Sequence, residues 1–175
     1  MALEIERKYL VREGPLTWPV PVKGSHIVQA YLKPLKKKIT TERVRFRVPE
    51  DGGPCVYTHT TKVRVSDGVH EEVEREISKI SFDRYVKRRD LSYNVISKVR
   101  GVFTWAGRTF ELDVFLGDAN RNLMILEVEL LSMDEEVILP PFINIEREVT
   151  TEREYTNAAL ARRGHFERAS LTVPL

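Results

Sequence analysis

The sequence predicts a β-dominated fold of the α+β class, and three observations support this prediction. Six segments alternate charged and apolar residues with the two-residue period of a β-strand. Turn sequences that contain glycine separate several of these segments, and helical patterns are found in two places. The chain of 175 residues is long enough to bury a real core, so we expect a single domain over residues 1–175.

In six of the eight predicted strands, one face is charged while the opposite face is mostly apolar. The eight strands are expected at Leu3–Val11, His26–Leu32, Glu42–Val48, Cys55–Val65, Val69–Ile77, Val95–Thr104, Arg108–Leu116 and Asn122–Leu131. Ser66-Asp67-Gly68 and Ala106-Gly107 should form hairpin turns, because strand patterns adjoin them on both sides.

Two helices are predicted. Ser81 is a candidate N-cap for a helix that runs to about Leu91. Near the C-terminus, Thr151-Glu152-Arg153-Glu154 matches a capping box, which would begin a helix that Gly164 ends.

The alternating charge is compatible with two architectures. In a β-sandwich the apolar faces would meet and the charged faces would contact water. In a closed barrel covered by helices, the charged faces could instead line the lumen. That arrangement is costly unless the charges are paired, solvated or bound to metal, so it requires water, metal ions or a polyanion inside the barrel.

Acidic and basic residues with strand parity are the candidate functional groups. In an extended strand Glu4 and Glu6 would project from one face about 7 Å apart, and two flexible carboxylates at this spacing can hold a divalent cation. The other charged residues of this kind are Lys8, Arg43, Arg45, Arg47, Lys62, Glu72, Glu74, Lys98, Arg100, Glu111, Asp113, Glu127 and Glu129.

Composition argues against several functional classes. The net charge of +2 is too small to indicate nucleic-acid binding. We expect a cytoplasmic protein that does not bind membranes, because no apolar run approaches a membrane span and the N-terminal segment lacks a signal-peptide core. Cys55 is the only cysteine, which excludes an internal disulfide and a thiolate metal cluster.

The order of these motifs resembles that of the CYTH family, the triphosphate tunnel metalloenzymes. The resemblance begins at Glu4-Ile5-Glu6-Arg7-Lys8 and covers nearly the whole chain. Further matching motifs are Gln29–Leu32, the Arg43–Arg47 alternation, Thr60–Lys62, Glu72–Glu74, Lys98–Arg100, Leu112–Gly117, Leu126–Leu130, Glu148–Thr150, Tyr155, Asn157 and Leu160. The resemblance implies an eight-stranded antiparallel closed β-barrel, a tunnel with a polar charged lumen and covering helices, that binds a triphosphate.

The resemblance also implies roles for individual residues. The metal ligands would be Glu4, Glu6, Glu127 and Glu129, and their hard carboxylate oxygens suit Mg²⁺ or Mn²⁺. The triphosphate would be bound by Lys8, Arg43, Arg45, Arg47, Lys62, Lys98 and Arg100, since arginine forks and lysine point charges match phosphate oxygens. The catalytic group would be Lys8, Glu4 and Glu6.

Some of the implied roles remain open. Glu72, Glu74, Glu111 and Asp113 would either pair with lumen arginines or approach a second metal. The three arginines Arg43, Arg45 and Arg47 share strand parity, so the sequence does not separate them. His70 stands where many relatives carry arginine.

The expected function is divalent-metal-dependent hydrolysis of a small-molecule triphosphate by attack of a metal-activated water on a terminal phosphorus. Inorganic triphosphate is favoured, because the residues specify phosphate-binding charge better than a pocket for an organic group. The family leaves alternatives, which are a class IV-type adenylate cyclase, a thiamine, nucleoside or RNA triphosphatase and a non-catalytic triphosphate-binding module. The expected assembly is a monomer or a homodimer.

Overall fold

Nine antiparallel strands form one sheet, and eight of them close into a barrel. The computed structural model describes residues 2–14, 17–36 and 39–163. The strands are β1 (Ala2–Val11), β2 (Lys23–Tyr31), β3 (Thr41–Pro49), β4 (Val56–Ser66), β5 (Val69–Glu76), β6 (Ile96–Trp105), β7 (Arg108–Phe115), β8 (Met124–Leu130) and β9 (Ile145–Glu148). The α-helices are α1 (Lys79–Val86) and α2 (Asn157–Leu160), and single 3₁₀ turns lie at Asp118–Asn120 and Arg153–Tyr155.

Strand β1 closes the barrel. It pairs with β8 over Ile5–Val11 and with β5 over Ala2–Ile5, while the other strands follow in the order β5-β4-β3-β2-β6-β7-β8. The short strand β9 also pairs with β1, over Tyr9–Val11. This part of β1 lies beyond the residues Ala2–Ile5 that pair with β5. The predicted closed barrel of eight antiparallel strands is therefore confirmed, and the sandwich alternative is excluded.

The eight predicted strands correspond to β1–β8, and the additional strand β9 was missed. Both predicted hairpin turns are present, with positive φ at Gly68 in the first and at Ala106 and Gly107 in the second. Two successive residues with positive φ are what a two-residue type I′ hairpin requires. Strand β9 has only 4 residues, so its alternation is too short to stand out in the sequence.

The first predicted helix is present, but its predicted ends were wrong. Helix α1 begins at Lys79, and its N-cap is Ser78, whose side chain accepts a hydrogen bond from the Ser81 amide. Ser81 is therefore not the N-cap; its amide donates to the N-cap. The extended backbone of Ser78 places the capping hydroxyl one turn earlier than predicted. The helix ends at Val86 instead of Leu91, since the chain then turns to pair with β2, where Arg89 bridges to Leu32.

The second predicted helix is much shorter than expected. Thr151 does not begin a helix, because Glu152 has an extended backbone and its carboxylate pairs with Arg147. Thr156 is the observed N-cap, and its hydroxyl accepts a hydrogen bond from the Ala159 amide to begin α2. Gly164, the predicted helix end, lies outside the described residues.

Two of the apolar clusters lie on the outer face of the barrel. One joins alternate residues of β6, β7 and β8, such as Phe103, Phe110 and Leu126, to Trp18 and Phe142 of the covering loops. The other packs α1 against β3, where the rings of Phe82 and Phe46 are 5.8 Å apart. Their burial leaves the opposite, charged faces of the strands to point into the lumen.

A third apolar cluster closes one end of the lumen. Tyr31, Ile96, Phe115 and Ile125 have the same strand parity as the charged lumen residues, and Leu160 of α2 packs against them. The lumen is therefore charged along part of its length and apolar at the end that α2 covers. Among the described residues, no helix combines the length and apolar character that crossing a membrane requires.

Candidate active site in the barrel lumen

A cavity of about 190 Å³ lies in the centre of the barrel, and we call it the lumen cavity. Neighbouring strands place charged residues directly opposite one another, as in the pairs Lys8 with Glu127 and Lys62 with Glu72. The predicted site residues that line the lumen cavity are Glu4, Glu6, Lys8, Arg43, Arg45, Lys62, Glu72, Lys98, Arg100, Glu111, Glu127 and Glu129.

Three predicted site residues lie away from this lining. Asp113 is buried, with 1% of its surface exposed, and contacts the lumen side chains of Lys98 and Arg100. Arg47 and Glu74 line a separate opening together with Glu76. The structure therefore separates Arg43 and Arg45, which reach the lumen cavity, from Arg47, which is exposed at the barrel mouth.

Lys8 is held between two carboxylates. Its Nζ lies 2.5 Å from Glu127 Oε1 and 3.0 Å from Glu6 Oε1. Burial alone would lower the pKa of Lys8, but Glu127 and Glu6 outweigh burial and raise it above its ordinary value. The ammonium group is therefore permanently charged.

Lys98 and Arg100 share the carboxylate of Asp113. Arg100 binds it with two hydrogen bonds of 2.6 Å and also donates to Glu127 at 2.9 Å. Lys98 also donates to Asp113, but burial and the neighbouring Arg100 lower the pKa of Lys98 to about 8. Glu111 is a further partner of Arg100. The predicted role of Glu111 and Asp113 as partners of a lumen arginine matches these contacts.

The two arginines of β3 that face the lumen cavity have different surroundings. Arg45 Nη2 lies 2.8 Å from both carboxylate oxygens of Glu74, and its Nε donates to Thr58. Arg43 is held more loosely, with Nη2 3.9 Å from Glu72 Oε2. The buried Nε of Arg43 has no hydrogen-bond partner among the residues that the structure describes. Arg43 is therefore less firmly tied to a carboxylate than Arg45 is.

The acidic side of the cavity lies around Glu4. Lys62 donates to Glu4 and lies 2.7 Å from Glu72. Burial nevertheless raises the pKa of Glu4, with Glu6 and Glu72 adding to the effect and Lys62 opposing it. The pKa of Glu6 is lowered instead, because Lys8 outweighs burial there. Burial therefore outweighs the Lys62 ion pair in its effect on the pKa of Glu4.

One group of side chains in the described part of the chain could share a metal ion. Ligand atoms of Glu4, Glu6 and His70 all lie within 4.8 Å of one another. Glu127, which the family pattern implies as a ligand, contacts Lys8 and Arg100, just as Glu6 contacts Lys8 and Glu4 contacts Lys62. Glu129, the fourth implied ligand, is exposed. Two carboxylates and an imidazole form a reasonable donor set for a divalent cation.

His70 is a candidate residue that the sequence reasoning did not place in a site. It was singled out only because it replaces an arginine. Two signals were present in the sequence: His70 has the same parity as Glu72 and Glu74, and the hairpin at Gly68 orients β5 antiparallel to β4. Its proximity to Glu4 arises from barrel closure, which pairs β1 with β5.

The lumen cavity continues into a second cavity of about 210 Å³, which we call the side cavity. The two share Glu6, Lys8, Arg43, Lys62 and Asn157 in their linings. The side cavity adds His70, Arg64, Asp67, Gly68, Thr150, Arg153 and Thr156 among others. It therefore extends the lumen cavity toward the β4–β5 hairpin and the segment before α2.

The chain was compared with known proteins. No protein-family model matches it. It is 32% identical over 163 residues to an inorganic triphosphatase of Acetivibrio thermocellus, covering 93% of this chain and 95% of that protein. It is 31% identical over 162 residues to an inorganic triphosphatase of Nitrosomonas europaea, covering 90% of this chain and 96% of that protein.

Solved structures agree with these relatives. The crystal structure of an inorganic triphosphatase is similar with a TM-score of 0.56 and 31% identity, covering 91% of this chain and 97% of that chain. A protein from Pyrococcus horikoshii shares the fold, with a TM-score of 0.53 at 21% identity over 75% of this chain and 80% of that one. With relatives above 30% identity that match almost end to end, the chain belongs to the family of these inorganic triphosphatases.

Proposed function

We propose that this protein is a triphosphatase of the CYTH type that hydrolyses inorganic triphosphate to pyrophosphate and phosphate. The observation that carries this proposal is the lumen cavity, in which lysines and arginines converge within a closed barrel. The two curated relatives are both named inorganic triphosphatases, which supports the same reaction class here.

The basic residues of the lumen cavity would bind the phosphate chain. Arg43 fits this role well, because it lines both cavities and its contact with Glu72 is long. Lys8 adds a fixed positive charge, since Glu6 and Glu127 keep its ammonium protonated. Arginine forks and lysine ammonium groups are the usual ligands of phosphate oxygens.

The acidic residues would bind a divalent cation, Mg²⁺ or Mn²⁺. Glu4 and Glu6 fit this role, because their carboxylate oxygens are close together and both side chains line the lumen cavity. Such a cation, when bound, would neutralise phosphate charge and lower the pKa of a coordinated water.

The lumen residues would act on the reaction through electrostatics. Phosphoryl transfer depends mainly on positioning and on stabilising charge at the transferred group and the leaving oxygen. Lys8 and Arg43 lie on neighbouring parts of the same cavity wall as Glu6, so cationic donors and the acidic group face one substrate volume. Closure of the barrel restricts access of bulk water, which strengthens these interactions.

The proposal is tested by phosphate release from tripolyphosphate, ATP and thiamine triphosphate, with Mg²⁺ or Mn²⁺ present. We expect cleavage of tripolyphosphate, loss of activity with a chelator and recovery when the cation is returned. Glu4→Gln should reduce turnover by at least about 100-fold, because it removes a carboxylate ligand of the cation. Substitution of a residue that only orients such a ligand already costs about 10- to 100-fold in metal affinity or activity.

Glu136→Gln is the matched control, because Glu136 is exposed in the loop after β8 and should leave turnover unchanged. Tripolyphosphate binding without turnover would identify a binding module, and formation of cyclic AMP from ATP without tripolyphosphate cleavage would identify a cyclase. Either result would overturn the proposal.

A further inference from the structure

We propose that His70 is a nitrogen ligand of the divalent cation at Glu4 and Glu6, and that it makes this site select Mn²⁺ over Mg²⁺. The inference deepens the proposed function, because it concerns the cation site of the same lumen. It rests on the position, surroundings and chemistry of His70.

The position of His70 follows from the closure of the barrel. In the register between β1 and β5, His70 is the direct partner of Glu4. Directly opposed residues of antiparallel strands have Cβ atoms about 5 Å apart, and Glu6 follows on the same face of β1. The ligand atoms of the three side chains accordingly lie within 4.8 Å of one another, a spacing that one ion can bridge.

The imidazole lacks a full set of partners. The buried Nδ1 of His70 has no hydrogen-bond partner among the described residues. Buried polar side-chain atoms are nearly always hydrogen-bonded, so such an atom calls for an explanation. A cation bound at Glu4 and Glu6 would give the ring the partner that the protein itself does not provide.

The cation could reach this group from solvent-accessible space. His70 and Glu6 both line the side cavity, while Glu4 and Glu6 line the lumen cavity. The group therefore lies where the two cavities meet, next to Lys8 and Arg43, and a cation there would contact both carboxylates and the phosphate-binding volume.

The nitrogen ligand determines the proposed selectivity. Mg²⁺ requires oxygen ligands in near-ideal octahedral geometry and loses its waters reluctantly. Mn²⁺ shares the preference of Mg²⁺ for carboxylate oxygens, but as a first-row transition metal it also binds sites that include a nitrogen ligand. A site formed by two carboxylates and one imidazole should therefore bind Mn²⁺ more tightly than a site formed by the carboxylates alone, while Mg²⁺ should gain little.

The experiment measures Mn²⁺ binding to the whole protein without substrate, by electron paramagnetic resonance. Pulsed measurements on the wild-type protein should show coupling of the Mn²⁺ electron spin to an imidazole ¹⁴N nucleus. His70→Gln should abolish this coupling and weaken Mn²⁺ binding about 10- to 100-fold. Mg²⁺ binding, measured by competition, should change less than about threefold, so the Mn²⁺ preference should largely disappear.

His26→Gln is the matched control. His26 lies on β2, where its Nε2 is 2.8 Å from Ser97 Oγ, and it does not line either cavity. This variant should keep both the ¹⁴N coupling and the Mn²⁺ affinity. Circular dichroism and thermal melting establish that each variant is folded, and the wild-type spectrum tests the proposal without any substitution.

The outcomes separate this inference from the proposed function. Absence of ¹⁴N coupling in the wild type, or unchanged coupling in His70→Gln, would overturn the role of His70 even if tripolyphosphate is hydrolysed. Coupling that depends on His70, together with no hydrolysis of tripolyphosphate, would support the cation site and overturn the proposed function.

Discussion

Lys8 and Lys98 project into the same lumen from β1 and β6, and both ammonium groups are paired with carboxylates. They are similarly buried, with 8% and 1% of their surfaces exposed. Their pKa values nevertheless move in opposite directions, since the pKa of Lys8 is raised and that of Lys98 is lowered to about 8.

The difference lies in the ratio of charges around each lysine. Lys8 has two carboxylates, Glu6 and Glu127, whereas Lys98 shares Asp113 with Arg100, which donates two hydrogen bonds to that carboxylate. Burial penalises both ammonium groups, and only Lys8 has enough negative charge nearby to offset the penalty. A buried lysine therefore cannot be assigned a protonation state from its burial alone.

The largest effect is expected when the Lys98 region loses its carboxylate. Asp113→Asn would leave two buried cations without their shared partner, so we expect a loss of about 3–5 kcal/mol in the free energy of unfolding, measured with denaturant. Asp83→Asn is the matched control, because the pair of Asp83 with Lys79 is exposed and should be worth less than about 1 kcal/mol. Equal effects of the two substitutions would contradict this description of the lumen.

The Lys8 region should matter most for turnover. Lys8→Gln removes the permanently charged ammonium between Glu6 and Glu127, so turnover of tripolyphosphate should fall about 100- to 1000-fold, as for other preorganised donors. The measurement is phosphate release by protein shown to be folded. Lys36→Gln, on an exposed loop, should retain wild-type turnover, and a similar rate for both variants would argue against a role for Lys8.

Arg43 and Arg47 lie on the same face of β3, but Arg43 lines the lumen cavity and Arg47 is exposed at the barrel mouth. Arg43→Gln should weaken tripolyphosphate binding roughly 10- to 100-fold, because hydrogen bonds to charged groups contribute about 1.5–3 kcal/mol. Arg47→Gln serves as the control on the same strand face, since Arg47 is exposed and outside the lumen cavity; the expected change is below about threefold. Isothermal titration with a slowly hydrolysed analogue would measure both.

The smallest effect is expected for a change of one pH unit in the free energy of unfolding. The folded-state pKa of Lys98 is about 8, below its value of 10.5 in an unfolded chain, so the unfolded state binds more protons between these values. The Lys98 contribution to stability should therefore rise with pH from about 8 to about 10.5, with a slope of roughly 1 kcal/mol per pH unit.

The measurement compares the unfolding free energy of wild type and Lys98→Met across this range of pH. The wild type should gain stability relative to Lys98→Met as the pH rises, whereas Lys23→Met, on an exposed position of β2, should run parallel to wild type. A difference that does not vary with pH would show that Lys98 keeps its proton throughout.

Much of the fold could be predicted because strand alternation is a local signal. Six of the eight segments that became β1–β8 show it, and Gly68 and Ala106-Gly107 mark two of the turns. Helix ends were predicted less well, since several serines and threonines could cap each helix. Ser78 and Thr156 were chosen by the path of the backbone and by tertiary contacts that the local sequence does not contain.

The charged residues of the candidate site could be predicted from the sequence, but the contacts between them could not. Strand parity placed Glu4, Lys8 and Lys98 on the charged faces of their strands, while the assignment of partners required the register between strands. The same holds for Arg47, which shares parity with Arg43 but lies beyond the lumen cavity. The position of a residue along the barrel axis depends on strand stagger, which alternation does not specify.

The sequence by itself determined which side chains share a strand face, since side chains alternate along an extended chain. It also determined the order of the family motifs, from Glu4-Ile5-Glu6-Arg7-Lys8 onward. Only the tertiary structure decided that the charged faces point inward, that an apolar cluster around Tyr31 closes one end, and that His70 faces Glu4. These features depend on the pairing of β1 with β5, strands that lie far apart in the chain, and contacts of that kind follow from barrel closure and not from local pattern.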